Sequence, residues 1–152
     1  MSRIRLIILS IVGIGIIGFV IFQVIPGSSI NAKFASPGNP PVTNTIKWDS
    51  PQTERLARTA CFDCHSNETP YPWYSNIAPM SWLVNKDIND GRLKLNFSTG
   101  SHLFTNEMQS QIETGLMPLP IYLPLHPEAN LTSEQKQQLI AGLIATFGAD
   151  DQ

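Results

Sequence analysis

From Leu6 to Ile25 the chain is almost wholly apolar, broken only by Ser10, three glycines and Gln23. A soluble core helix is not expected of such a run. Twenty residues rise about 30 Å as a helix, the thickness of a bilayer's hydrocarbon core, and a helix satisfies its own backbone groups in lipid. The pattern then changes. Residues 26–50 are rich in Pro, Gly, Ser and Asn with little apolar periodicity, and they read as a semi-rigid tether. The alternative is a loop packed along a folded unit, with Ile46 and Trp48 as its docking points.

The folded pattern begins at Ser50-Pro51, an N-cap followed by proline at the first helical position, and it predicts a short helix leading towards Cys61. Met80 to Asp90 reads as a second helix, with Leu83, Val84 and Ile88 on one face and Gly91 as its stop. Ser101 to Thr114 reads as a third, with Phe104, Met108 and Ile112 four apart before Gly115. The last is the clearest: Thr132 and Gln135 form a capping-box pattern ahead of Leu139, Ile140, Leu143, Ile144 and Phe147, and Gly148 ends it. No strand pattern and no internal repeat is visible. The expected fold is all-α in three parts: an anchor at 1–25, a linker at 26–50 and a folded domain at 51–148.

Charge adds an orientation. The only charges before Pro26 are Arg3 and Arg5, so eight of the ten basic residues face twelve acidic ones in the remainder, which carries −4. A nucleic-acid partner is not expected, since no basic face is available to neutralise phosphates. Arg3 and Arg5 should stay cytoplasmic by the positive-inside bias, which sends Pro26 onward across the membrane. The expectation is a single-pass protein held by lipid contact through residues 4–25, in a bacterial inner membrane or a thylakoid membrane, with the folded part on the periplasmic or lumenal side. A cleaved signal peptide is the rival reading, with Phe34-Ala35-Ser36 its least protected cleavage place. The length of the apolar run and the lack of a clean small-x-small site count against it.

Cys61-Phe62-Asp63-Cys64-His65 is a C-x-x-C-H sequence, the attachment signature for c-type haem. Two cysteines three positions apart near a helix end can both reach the porphyrin edge, and the adjacent His65 becomes the proximal iron ligand. Phe62 and Asp63 need no chemical role. Three other readings compete: a Cys61–Cys64 disulfide, which leaves His65 unexplained; a thioredoxin-type redox pair, which expects a βαβ context; and a zinc site, which would have to recruit His102 or His126. The expected cofactor is one covalently held haem c per chain.

The sixth iron position decides much of the function, because Met or His closes it for electron transfer and an open site admits small ligands. Met108 lies on a periodic helix face and reads as core. Met80 opens a helix close behind the motif, His102 reads as a surface residue, and His126, before Pro127, is the runner-up. Met117 is the preferred ligand: it follows Gly115 and precedes Pro118, whose ring restrains it in a stiff extended path. Met117 can alternatively line the pocket as a gap-filling thioether.

With these residues placed, the stretch from about Ala60 to Leu143 resembles the bacterial haem-binding domain family of small exported C-x-x-C-H proteins. The resemblance is carried by ACFDCHSNETPYPWYSNIAPMSWLV (60–84), DINDGRLKLNFS (87–98), GLMPLPIYLPLHPEANLT (115–132) and the capped last helix. It implies a compact monohaem domain held by Cys61, Cys64 and His65. It also implies that Pro72, Trp73, Tyr74, Met117-Pro118 and His126-Pro127 are pocket or pocket-frame positions. The family favours a second proline directly after Met-Pro, whereas Leu119 stands here before Pro120.

The functional expectation is a membrane-tethered, c-type cytochrome-like electron carrier whose acidic folded part meets a basic redox partner protein. Trp73, Tyr74 and Trp82 are expected to wall the haem. No substrate-processing constellation is visible, so an enzyme is not expected, and peroxidase-like activity is disfavoured for want of a distal acid-base pair. The alternative function is a haem-based sensor or ligand-binding module with an open sixth position.

Overall fold

The computed structural model describes residues 2–101 and 106–148. Among them are six α-helices: α1 (Arg3–Gln23), α2 (Pro51–Ala60), α3 (Phe62–His65), α4 (Met80–Lys94), α5 (Asn106–Glu113) and α6 (Ser133–Phe147). No strand forms among the described residues beyond one isolated bridge between Asn96 and Ser101. The fold is all-α. It divides into two compact units, Met1–Ser36 with Tyr71–Lys86, and Pro37–Pro70 with Asp87–Gln152, so α4 begins in the first and ends in the second.

In the first unit, α1 has 21 residues and buries none of them, and an 18-residue stretch of it has a mean hydropathy of 2.7, long and apolar enough to cross a membrane. It stops at Gln23 rather than Ile25. Pro26 disfavours helical backbone before it, and the chain tightens so that the Val24 amide donates to the Ile21 carbonyl at 3.2 Å. Gln23 then pairs with a residue far along the chain: Ala78 N–H donates to its Oε1 at 2.8 Å and its Nε2 donates to Ala78 O at 3.1 Å. Trp82 packs against Phe22 (centroids 4.8 Å) and stacks on Phe34 (6.1 Å).

The second unit holds the core. Ser50 caps α2 by accepting the Thr53 N–H at 3.2 Å, with Pro51 at the first helical position as expected. The capping box of α6 is complete: Gln135 N–H donates to Thr132 Oγ1 at 3.2 Å, and Thr132 N–H donates to Gln135 Oε1 at 2.8 Å. Leu56 and Ala57 of α2 meet Leu139, Ile140 and Leu143 of α6, together with Phe62, Phe97, Ile112 and Leu131. The two helices approach closely because Gly142 lacks a side chain; a Cβ there would lie 2.0 Å from Thr53 Oγ1. Trp48 sits at the rim of this core against Phe62, Phe97 and Phe147, with centroids 5.8–6.3 Å away.

Residues 37–50 do not run free. The Thr43 and Asn44 amides donate to Ser98 O at 2.8 and 2.9 Å, Asn67 donates to Pro41 O, and Ile46 and Trp48 pack on the core, so this part of the expected tether takes the packed-loop arrangement. Ser101, the expected first residue of the third helix, accepts from the Asn96 amide and is not helical; Phe104 and His102 lie outside the described residues, and α5 spans Asn106–Glu113. Met108 packs on the core and Ile112 lies within it. Gly91 is no stop either: α4 continues through it to Lys94.

Candidate haem site

The C-x-x-C-H residues lie at the junction of two helices in the second unit. Cys61 caps α2, its N–H donating to Ala57 O at 2.9 Å, and its carbonyl accepts from the Cys64 and His65 amides, so the motif closes into the single turn of α3. Both cysteines are free and half-buried. Burial, reinforced by the neighbouring Cys64 charge, pushes the Cys61 thiol up to about 12. Burial together with Asp87 and Asp63 does the same to Cys64, against the opposing pull of Arg92. Thiols held this way stay protonated near neutrality, the opposite of the activated thiolate that a thioredoxin-type pair requires. Among the described residues, no group of three His, Cys, Asp or Glu side chains is placed to hold a metal ion.

His65 carries the most informative geometry. Its Nδ1 lies 3.0 Å from Gly91 O and 3.2 Å from Leu95 O, and carbonyls can only accept, so Nδ1 bears the hydrogen and Nε2 keeps its lone pair. A backbone carbonyl on the far nitrogen is the usual means of orienting a metal-ligating imidazole. Burial lowers the His65 pKa, with the two carbonyl bonds opposing, and so favours the neutral ring that a metal needs. The last turn of α4 supplies the Gly91 carbonyl, and Leu95, the residue just after the helix, supplies the other. They come close because residue 91 is glycine: a Cβ there would stand 2.6 Å from Cys64 O. The donor set therefore suits haem, with two thiols for the porphyrin edge and one preset imidazole for iron.

Phe62 and Asp63, for which no chemical role is expected, both have structural partners. Phe62 is buried, stacks on Phe97 with centroids 5.0 Å apart, and has the Arg58 guanidinium 4.5 Å above its ring. Asp63 Oδ2 accepts a 2.6 Å hydrogen bond from Tyr122 Oη. Burial, followed by that bond and the Asp63 charge, raises the Tyr122 pKa well above the ordinary tyrosine range. Tyr122 in turn stacks on His126 with centroids 3.8 Å apart and planes within 5°, and its carbonyl lies 3.1 Å from His126 Nδ1. His126 is thereby held one ring away from the haem motif.

Met117 belongs to the same loop. It is half-buried, its N–H donates to Gln111 O at 3.0 Å, and the bond joining this loop to the motif is the one made by Tyr122. Met80, Pro72, Trp73 and Tyr74 belong to the first unit, where Met80 and Trp73 are exposed and Trp82 is packed between Phe22 and Phe34. His102 lies outside the described residues.

The sequence reading also passed over Arg92. Its Nε donates to Ser66 O at 2.7 Å, Nη1 to Gly38 O at 2.7 Å, and Nη2 to Asn39 Oδ1 and Thr69 Oγ1, so it ties α4 to the residue after His65 and to residues 38 and 39. Its only sequence signal is its place, with Gly91, in the 87–98 segment.

The model of the haem-binding domain family matches residues 17–145, which include every residue described in the second-unit site. No curated protein and no solved structure matches the chain. The chain belongs to the haem-binding domain family and is a haem-binding protein.

Proposed function

We propose that the protein is a membrane-anchored, monohaem c-type electron carrier rather than an enzyme. The observation that carries this reading is the orientation of His65: Nδ1–H is committed to Gly91 O and Leu95 O, beside two free thiols at the haem-attachment spacing. Cys61 and Cys64 would hold haem as thioethers, each S–H adding across a vinyl group with no leaving group, and His65 Nε2 and Met117, the latter on a loop fastened by Tyr122, would be the protein's ligands to its iron. Haem bound in this way supplies a one-electron Fe(III)/Fe(II) couple. The −4 charge outside residues 1–25 suits a basic redox partner, with electrostatics setting mainly the encounter rate. Helix α1 anchors the chain in a bacterial inner membrane or thylakoid membrane, with Arg3 and Arg5 on the cytoplasmic or stromal side.

Replacing Cys61 and Cys64 together by alanine should abolish haem staining of the denatured protein on a gel; a stained band from that variant would overturn covalent attachment. Met117→Ala should keep the stain. It should remove the weak red-edge absorption of methionine-ligated ferric haem and lower the reduction potential, because a thioether favours Fe(II). Fast carbon monoxide binding by the unaltered protein would replace the carrier by a ligand-binding module.

A further inference from the structure

We propose that residues 71–80, fastened to the end of α1, form an uncharged aromatic surface that seats in the headgroup layer of the phospholipid bilayer. The inference rests on the reading of α1 as a membrane anchor. At about 1.5 Å per residue, 21 residues rise about 31 Å, so Gln23 at the helix end reaches the boundary of the hydrocarbon when α1 spans. The two hydrogen bonds between the Gln23 amide and Ala78 fix residue 78 at that depth. Being reciprocal, they also fix the orientation of the amide. The packing of Trp82 on Phe22 and Phe34 holds the same junction from a second side.

Around this junction the chain leaves large apolar side chains uncovered: Trp73 is 77% exposed and Val24 74%, with Ile30, Ile77 and Met80 also exposed. A tryptophan this bare is out of place in water but at home between headgroups and acyl chains, where its ring is buried and its N–H stays wet. Tyr71 and Tyr74 add two more rings of the same preference. Residues 71–80 contain no charged residue and 24–36 only Lys33, whose long stem can keep its ammonium among the headgroups while the rings seat. A cavity of about 290 Å³ opens at this junction, walled by Trp82 and Phe34 and edged by Ser28, Ser81 and Asn85. That mixed lining matches the mixed chemistry of a headgroup layer. With Lys33 the one charged residue in 24–36 and none in 71–80, seating depends mainly on apolar area and rings, and only weakly on anionic lipid or salt.

The test uses the full-length, haem-loaded protein in phosphatidylcholine nanodiscs, with the photo-crosslinking residue p-benzoylphenylalanine placed at Ile14, Trp73 or Ile77 in turn. The haem spectrum verifies that each variant is folded. After illumination, mass spectrometry should find a phospholipid adduct at position 14 and at 73 or 77, unchanged when part of the lipid is phosphatidylglycerol. Adding Gln23→Ala should reduce the adduct at 73 several-fold while leaving that at 14. An adduct at 14 with none at 73 or 77 overturns the surface and leaves the anchor standing. No adduct at 14 overturns the anchor and the surface with it. An adduct at 73 that Gln23→Ala leaves untouched overturns the fastening role of Gln23.

Discussion

Helices α1 and α6 are both rich in isoleucine and leucine, yet α1 buries none of its residues within the protein, whereas α6 buries Leu139, Ile140, Gly142 and Leu143 along one side. The difference lies in how the apolar residues are distributed. In α6 they recur three and four apart and leave Glu134, Gln137 and Gln138 to water, so the apolar side is covered by packing on α2 and α5. In α1 they cover the circumference, the distribution of a helix that is apolar on every side and long enough to cross a membrane. Each unit then adds an aromatic hub of its own, Trp48 in the second and Trp82 in the first.

Exchanging those hubs for alanine is the strongest way to break the comparison. Trp48→Ala removes the ring shared by Phe62, Phe97 and Phe147 and should cost about 3 kcal/mol, seen as a lower urea midpoint of the haem-loaded protein and faster amide exchange in α2 and α6. Trp82→Ala should instead speed exchange at residues 27–34 and 76–82. If both variants lowered the protection of α2 and α6 alike, the division into two separately packed units would fail.

Glycine substitutions sharpen the contrast at smaller cost. Gly142→Ala forces Thr53 aside, an overpacking penalty of about 1–3 kcal/mol, partly offset by the roughly 0.5–1 kcal/mol that alanine gains over glycine in a helix. A net loss of about 1 kcal/mol, seen as a lower urea midpoint, is expected. Gly13→Ala in α1 meets nothing within 4 Å and should leave the midpoint unchanged.

The same contrast marks what the sequence could reveal. Caps are local, so Ser50 and Thr132 announced α2 and α6, and a run of twenty apolar residues announced α1. Gly91 misled because a glycine that stops a helix and one that lets a helix touch Cys64 are the same letter. Residues 37–50 misled because proline-rich composition does not say whether the Thr43 and Asn44 amides bond to water or to Ser98. Within the site, the spacing of Cys61, Cys64 and His65 was legible. The partners that orient His65 were not, being the backbone carbonyls of Gly91 and Leu95, which no side chain advertises. Nor was the Tyr122–Asp63 bond, which joins residues 59 positions apart.

That bond gives the smallest effect and the most specific signature. Tyr122→Phe keeps the ring that stacks on His126 and removes only the hydroxyl, so the loss near neutral pH should be about 1 kcal/mol, as for a hydrogen bond to a half-exposed carboxylate. Its pH dependence separates it from a packing defect. Burial and Asp63 hold the Tyr122 pKa above the ordinary tyrosine value near 10, so over that range the unfolded chain releases the proton while the folded chain keeps it. The unfolded state then binds fewer protons than the folded one, and stability falls as pH rises through and beyond about 10. The contribution from Tyr122 is therefore fully present below that pH and lost above it. Urea midpoints of both proteins, followed from about pH 8 to about pH 11, should start apart and converge, because phenylalanine has no proton to lose. Parallel curves across that range would mean that the Tyr122 hydroxyl does not bond to Asp63 in solution, and the fastening of the Met117 loop to the haem motif would have to be sought elsewhere.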